Sequence, residues 1–174
     1  MRTPKLKKDP AARRTKTPEQ ALAALMRLCA RAEKSEGDAR RLLRGWGVNE
    51  SEAEQIVARL TSERFIDDAR YAGAFVREKM RLSGWGEYKI RAALQRKGIT
   101  RATIDEALGA ADRTGMEERL RTQLLRKLRQ TRYATQYELK TKLIRYGLSL
   151  GYDYETVHET AASLTADTEP CDEF

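Results

Sequence analysis

The sequence is poor in the residues that build metal centres and disulfide frameworks. Its 174 residues include two cysteines and one histidine, too few for an ordinary zinc site or a set of disulfide bridges. The longest apolar run, residues 21–26, is far shorter than the roughly 20 residues of a membrane-spanning helix. The first 16 residues are too polar for a secretory signal. These absences exclude secreted disulfide domains, membrane spans and zinc modules, and they favour a cytoplasmic protein.

Motifs for nucleotide binding and catalysis are missing as well. Two Gly-Trp-Gly segments, residues 45–47 and 84–86, lack the third glycine of a dinucleotide-binding loop, and no Gly-Lys-Ser/Thr sequence occurs. Cys29 falls on the apolar side of a predicted helix, which is typical of a small core residue. The hydroxyl residues that follow His158 are not three or four positions away, so a structural role is favoured over catalysis. We therefore expect no enzymatic activity, no metal and no cofactor.

Positive charge dominates and is unevenly distributed. The chain carries 34 Lys and Arg against 26 Asp and Glu, a net charge of +8. Residues 1–16 alone account for +6, and residues 167–174 for −4. We expect a flexible basic arm and a frayed acidic tail at these two ends, because few apolar side chains there can offset the entropy of ordering. The remaining residues are also basic, which indicates an anionic partner.

The apolar pattern predicts an all-α protein. No segment alternates apolar and polar residues as a strand would, whereas apolar residues recur every three or four positions. Thr17, Pro18 and Gln20 combine an N-cap, a first-turn proline and a capping-box glutamine. We predict long helices at residues 18–32, 67–81 and 116–130, each followed by two shorter ones.

A short pattern occurs three times. It consists of an apolar residue, a second one four positions later, a glycine four positions after that, and an aliphatic residue. It is found at residues 39–48, 90–99 and 139–148. Gly47, Gly98 and Gly147 are predicted to end helices in the left-handed conformation, which a residue with Cβ adopts only at a cost.

The spacing of these glycines, 51 and 49 residues, indicates a repeated supersecondary unit. The sequence thus predicts three tandem three-helix repeats, at residues 17–66, 67–114 and 115–166.

The second helix of each predicted repeat is basic, and the third helix begins with acidic residues. In a helix-turn-helix protein the later helix of the pair, here the third helix of each repeat, would present its N-terminal end to DNA. That end is predicted to be acidic and would be repelled by phosphate. The recurring positive residues suit an extended acidic partner instead, either a nucleic-acid backbone or an acidic protein groove. Solvated faces that only maintain solubility are the alternative.

Asp67 and Asp68 lie at the start of the helix predicted for residues 67–81. A metal or acid–base role is conceivable for such a pair, but an N-cap and a favourable charge at a helix start explain it better, with a partner contact as the remaining option. Trp85 and Tyr88 flank a glycine turn, and the sequence leaves open whether they are exposed contacts.

Residues 64–77, RFIDDARYAGAFVR, resemble the signature of the RecX family, bacterial regulators of the RecA recombinase. The resemblance continues through Gly84, Leu94 and residues 97–99, and it covers roughly residues 18–165. It implies tandem three-helix repeats in an elongated, curved array that binds RecA filaments along the groove and also touches DNA. It further implies a non-enzymatic regulator of homologous recombination, DNA repair and the SOS response, which inhibits strand exchange, ATP hydrolysis and co-protease activity.

On this basis we expect a monomeric RecA regulator, with a repeat protein that binds DNA or RNA directly as the alternative. The positions of charged residues in the motif and in the basic helices suggest the partner contacts. The candidate residues are Asp67, Asp68, Arg70, Arg77, Arg91, Lys97, Arg40 and Arg44.

Overall fold

The computed structural model describes residues 15–166, and every regular element among them is a helix. The all-α class is confirmed. The acidic tail and residues 1–14 of the predicted basic arm lie outside the described residues. The helices are α1 (Pro18–Cys29), α2 (Glu36–Gly45), α3 (Glu50–Ser62), α4 (Asp68–Arg81), α5 (Glu87–Arg96), α6 (Arg101–Gly109), α7 (Met116–Gln130), α8 (Gln136–Ser149) and α9 (Tyr154–Ala166).

The chain divides into two compact units at the bond between Asp68 and Ala69. In the N-terminal unit, α1, α2 and α3 pack around the fully buried Leu25, Leu43 and Leu60. Burying each such side chain stabilises the fold by roughly 1.5–3 kcal/mol. This core fixes the direction in which the charged faces of α2 and α3 point.

The start of α1 follows the sequence prediction. The Thr17 hydroxyl accepts a hydrogen bond from the Gln20 amide, and the Gln20 side chain accepts one from the Thr17 amide, both at 3.3 Å. Lys16, the last residue of the predicted arm, donates its amide to the Trp46 carbonyl at 3.0 Å and places its ammonium 4.4 Å from the Trp46 ring centre. The described chain is therefore anchored to the end of α2 before its first helix begins.

The C-terminal unit contains two apolar clusters. The first joins α4, α5 and α6, with Ile90 and Leu94 at its centre, and the second joins α7, α8 and α9, with Leu124 and Leu143 at its centre. Met116 at the start of α7 packs against both clusters, which explains why these six helices form one unit. Together with the cluster of α1–α3, these clusters give each group of three consecutive helices its own core. The exact boundaries of the three repeats stay a prediction.

The first two repeated glycines end helices as predicted. Gly47 and Gly98 have φ values of +74° and +83°. Just after them, the Val48 amide donates to the Leu43 carbonyl and the Ile99 amide to the Leu94 carbonyl. These bonds satisfy carbonyls that a helix end would otherwise leave without a partner.

The prediction for Gly147 is wrong. Helix α8 continues past Gly147 to Ser149, and Gly151 adopts the left-handed conformation instead, with φ +89°. Gly147 is buried, and a Cβ placed on it would lie 2.6 Å from a methyl carbon of Val157 in α9. Glycine is needed at this position because α8 and α9 pack closely there, and not because the chain turns.

Candidate partner-binding surfaces

Arg40 projects from α2 into a cluster of carboxylates within the N-terminal unit. Its Nε lies 2.8 Å from Oε1 of Glu54 in α3, a second guanidinium nitrogen lies 3.0 Å from the other Glu54 oxygen, and the third lies 3.0 Å from Glu36. The Glu54 carboxylate raises the pKa of Arg40, and the guanidinium lowers the pKa of Glu54. Such a two-pronged pair fixes the guanidinium in one orientation, so Arg40 joins α2 to α3.

The middle group of helices contains the same arrangement. Arg91 of α5 forms an ion pair with Asp105 of α6, and both this pair and Arg40–Glu54 join residues 14 positions apart. In the third group this pair is absent, because the residue 14 positions after Lys140 is Tyr154. Glu54 and Asp105, each the fifth residue of its helix, thus neutralise part of the charge of α2 and α5. The prediction of an acidic helix start is wrong for α6, which begins at Arg101 and has no acidic residue in its first turn. The equal spacing of 14 residues is visible in the sequence, but the packing of the two helices decides that these positions meet.

Asp68 begins α4 but caps a different helix. Its Oδ1 accepts a hydrogen bond from the backbone amide of Glu36, in the first turn of α2, at 2.9 Å. Burial raises the pKa of the Asp68 carboxyl, and the bond from the Glu36 amide opposes this shift. The prediction that the acidic pair marks a helix start is confirmed, and the capped N-terminus belongs to α2.

The other candidate residues differ in how accessible they are. Arg44, Arg70 and Arg77 are exposed, while Asp67 and Lys97 are half-buried. Arg77 lines a groove between α4 and α6, where Gly73 and several alanines form the floor and acidic residues of α6 and its C-terminal turn lie opposite. The structure gives Arg40, Arg91 and Asp68 the partners described above, and it places Arg44, Arg70 and Arg77 at exposed positions. The role of all eight residues in partner binding stays a prediction.

Two lysine ammonium groups of the same unit lie close to the Trp85 ring. The Lys89 ammonium lies 4.6 Å from the Trp85 ring centre and the Lys79 ammonium 5.5 Å from it, while Phe75 meets the ring edge-on. Tyr88 is 66% exposed. Of the two aromatic residues that the sequence left open, Tyr88 is the accessible one.

The described residues contain no group of three or more His, Cys, Asp or Glu side chains placed to hold a metal ion. No helix within residues 15–166 is both long and apolar enough to span a bilayer. His158 stacks on Tyr154, with ring centres 5.6 Å apart, and Cys29 packs against the N-terminal core.

Comparison with known proteins identifies the family. Residues 67–108 match the family described as RecX, second three-helix domain, and these residues include all of α4, α5 and the first eight residues of α6. The chain is 34% identical over 114 residues to the regulatory protein RecX of Chlorobaculum tepidum, covering 66% of this chain and 69% of that protein. This chain belongs to the RecX family. It is also 33% identical over 129 residues to the regulatory protein RecX of Clostridium botulinum, spanning 72% of this chain and 59% of that relative.

Solved RecX structures have the same fold. One, a crystal structure of regulatory protein RecX, matches with a TM-score of 0.75 at 23% identity and covers 84% of this chain and 71% of that chain. The other, RecX from Lactobacillus salivarius, matches with a TM-score of 0.69 at 20% identity and covers 86% of this chain and 97% of that chain. The RecX relatives are named regulatory proteins, a non-enzymatic class.

Proposed function

We propose that this RecX-family protein binds RecA filaments along their groove and mainly inhibits recombination, ATP hydrolysis and the co-protease activity that triggers the SOS response. Family membership is the observation that carries the proposal, because the relatives are regulatory proteins and the α4–α6 segment matches a RecX domain.

The distribution of exposed charge supports a protein partner for α4. Arg70 and Arg77 are on its surface, and the floor of the adjoining groove is formed by small side chains. Arg77 lies against this floor, since a Cβ on Gly73 would be 3.3 Å from a guanidinium nitrogen of Arg77. An arginine provides a planar donor for a partner's carboxylate. Arg77 is therefore the best-placed of the predicted contacts.

Repetition would add to the affinity of each contact. A filament presents identical subunits at a regular spacing, so a second contact forms at a high effective concentration once the first is made. A protein held in the groove in this way would exclude duplex DNA or block addition of further subunits, and either action lowers the recombinase activity.

The direct test is RecA ATP hydrolysis on single-stranded DNA, titrated with the full chain. We expect inhibition at concentrations well below that of RecA. The variant Arg77→Glu should need a several-fold higher concentration for half-inhibition. Arg101→Glu is the matched control, since Arg101 is 86% exposed on α6, and it should inhibit like the unmodified protein.

Absence of any effect on preformed filaments at every ratio would contradict the proposal. Equal losses in the Arg77 and Arg101 variants would remove the α4 surface from it. A version lacking residues 1–14 tests the basic arm separately and retains Lys16 on Trp46.

A further inference from the structure

We propose that the C-terminal unit contains a nucleic-acid phosphate-binding groove between the end of α4 and one face of α7. This α4–α7 groove is lined chiefly by Arg81, Ser83, Gly84, Arg119, Thr122 and Arg126. None of these residues is among the contacts predicted from the sequence, and the site does not depend on RecA.

The groove is held open by the fold before any ligand binds. Gly84, in the loop after α4, accepts a hydrogen bond from the side-chain amide of Gln123 in α7 at 2.9 Å. Gly84 has φ +60°, a conformation in which a residue with Cβ is strained, and a Cβ there would lie 2.0 Å from the Gln123 nitrogen, so a side chain at this position would displace the Gln123 amide. The Tyr146 hydroxyl donates a hydrogen bond to the side-chain oxygen of Gln123 at 3.5 Å. A site that is already formed loses less entropy on binding.

One face of α7 provides evenly spaced donors. Arg119, Thr122 and Arg126 lie at positions i, i+3 and i+7, and therefore on the same side of the helix. The two arginines are separated by about 10 Å along the axis, a distance over which a nucleic-acid strand presents several phosphates. Arg81, the last residue of α4, and Ser83, in the loop that follows, also line the groove, so donors come from both of its sides.

The electrostatics favour an anion. Three arginines line the groove against one carboxylate, that of Glu118. Within residues 15–166, Arg81 and Arg126 have no carboxylate within ion-pair distance, and Arg119 donates to the Thr114 carbonyl at 3.0 Å. The pKa of the nearby Asp112 is lowered mainly by hydrogen bonds from Thr114, and Arg119 and Arg81 lower it further.

The residue types select phosphate over an acidic peptide. Phosphate oxygens in protein–nucleic acid complexes are bound by Arg and Lys together with Ser, Thr and Gln side chains, which is the set found here. Protein partners owe most of their affinity to a few anchor side chains buried in well-packed pockets. The large exposed apolar side chain at this site, Leu82, is 82% exposed at the rim and forms no pocket.

The surface next to the α4–α7 groove is mainly acidic. On the other side of Gly115, the lining includes Glu87, Glu117 and Asp153 with Arg113 as its basic residue. A phosphate backbone would be repelled from that side and directed into the α4–α7 groove.

The test measures binding of a fluorescein-labelled oligothymidylate to the full chain by anisotropy, over a range of NaCl concentrations and without RecA. The test variant is Arg81→Gln with Arg126→Gln. The control, Arg101→Gln with Arg145→Gln, removes the same charge from two other exposed positions. Thermal unfolding followed by circular dichroism checks that both variants are folded.

We expect the affinity of the unmodified protein to fall steeply with salt. The groove variant should bind more weakly at low salt, and the slope of log K against log[salt] should be smaller by about 1.4, or roughly 0.7 per lost phosphate contact. The control should keep the original slope. Equal slopes for the two variants would overturn the proposal, because net charge rather than the groove would then determine binding. Displacement of the oligonucleotide by poly-L-glutamate at equal charge concentration would also overturn it, in favour of an acidic peptide.

Discussion

Helices α2 and α8 have the same spacing of apolar residues and glycine, yet they end differently. Helix α2 ends at Gly45, and Gly47 turns the chain in the left-handed conformation. Helix α8 passes through the corresponding Gly147, ends at Ser149 and turns at Gly151. The same glycine spacing therefore supports a turn in one helix pair and close helix packing in the other.

The extra turn of α8 has a structural consequence within the C-terminal unit. The carbonyls of Leu150 and Gly151 accept hydrogen bonds from the amides of Gly86 and Tyr88, at 2.8 and 3.0 Å. Gly86 provides no side-chain cap for α5, so the end of α8 supplies the acceptors that the first turn of α5 requires. At α2 the corresponding acceptors are side chains, those of Ser35 and Asp68.

Gly151→Ala should have the largest effect. The new Cβ would meet the Lys89 backbone nitrogen and Cβ at 2.4 Å, in addition to the strain of φ +89°. We expect a loss of about 3 kcal/mol of unfolding free energy in urea titrations, from overpacking and left-handed strain together. Gly109→Ala, where nothing lies within 4 Å of the added carbon, is the control and should lose little. A loss under about 1 kcal/mol at Gly151 would contradict the backbone contact between α8 and α5.

Gly147→Ala should be the next most damaging change, by about 2 kcal/mol, because its Cβ would overlap Val157 in a well-packed core. Removing the opposing methyl groups should relieve the overlap. In a double-mutant cycle with Val157→Ala, the combined loss should be smaller than the sum of the single losses. Strict additivity would show that Gly147 has another role.

Gly98→Val tests the glycine of the middle repeat, where the turn rather than packing sets the requirement. A β-branched residue at φ +83° is strained, so we expect a loss of about 1 kcal/mol or more in the same unfolding assay. Gly98→Asn should lose less, since asparagine tolerates this conformation. Unchanged unfolding for the valine variant would count against a left-handed end to α5.

Removing the ion pairs of the first two helix groups should lower the unfolding free energy by a smaller amount. Arg40→Gln and Arg91→Gln should each cost about 0.5–1 kcal/mol at low salt, because partly exposed pairs contribute little. Lys140→Gln, at the corresponding position without an acidic partner 14 residues later, should cost less than either. Double-mutant cycles with Glu54→Gln and Asp105→Asn measure each coupling, and no coupling in either cycle would contradict the pairing.

The smallest effect concerns the carboxyl group of Asp68, which caps the first turn of α2. Burial raises the pKa of Asp68 above its ordinary value of 3.8, so the folded protein holds this proton more tightly than the unfolded chain. The unfolding free energy of the unmodified protein relative to Asp68→Asn should therefore fall as pH rises from 3.8 through the raised pKa, and then stay level. An increase over this range would show that the carboxylate is favoured in the folded state.

Local rules predicted much of the helical framework. The sequence placed both ends of α7 correctly and located α4 to within one residue, because apolar periodicity and capping residues act over a few positions. The third helix of each group buries two apolar residues four positions apart, Ile56 and Leu60, Ile104 and Leu108, and Val157 and Ala161. The predicted α1 extended to residue 32, whereas the helix ends at Cys29, since the chain must turn there to let α2 pack on the same core.

The candidate site was less predictable. The positive residues of α2 and α5 looked alike in the sequence, but Arg40 and Arg91 are paired with acidic residues 14 positions away, and that pairing depends on how two helices pack. The α4–α7 groove joins Arg81 to Arg126, which no local pattern connects. A charge run shows that a helix is basic and does not show which charges remain available to a partner.

The sequence by itself determined the all-α class, the recurrence of the helical pattern and the resemblance to RecX, because these depend on periodicity and on short motifs. Only the tertiary structure decided which glycine turns the chain after α8, which arginines are neutralised and which donors converge on one groove. Those outcomes depend on distances between residues far apart in the chain, and packing alone sets such distances.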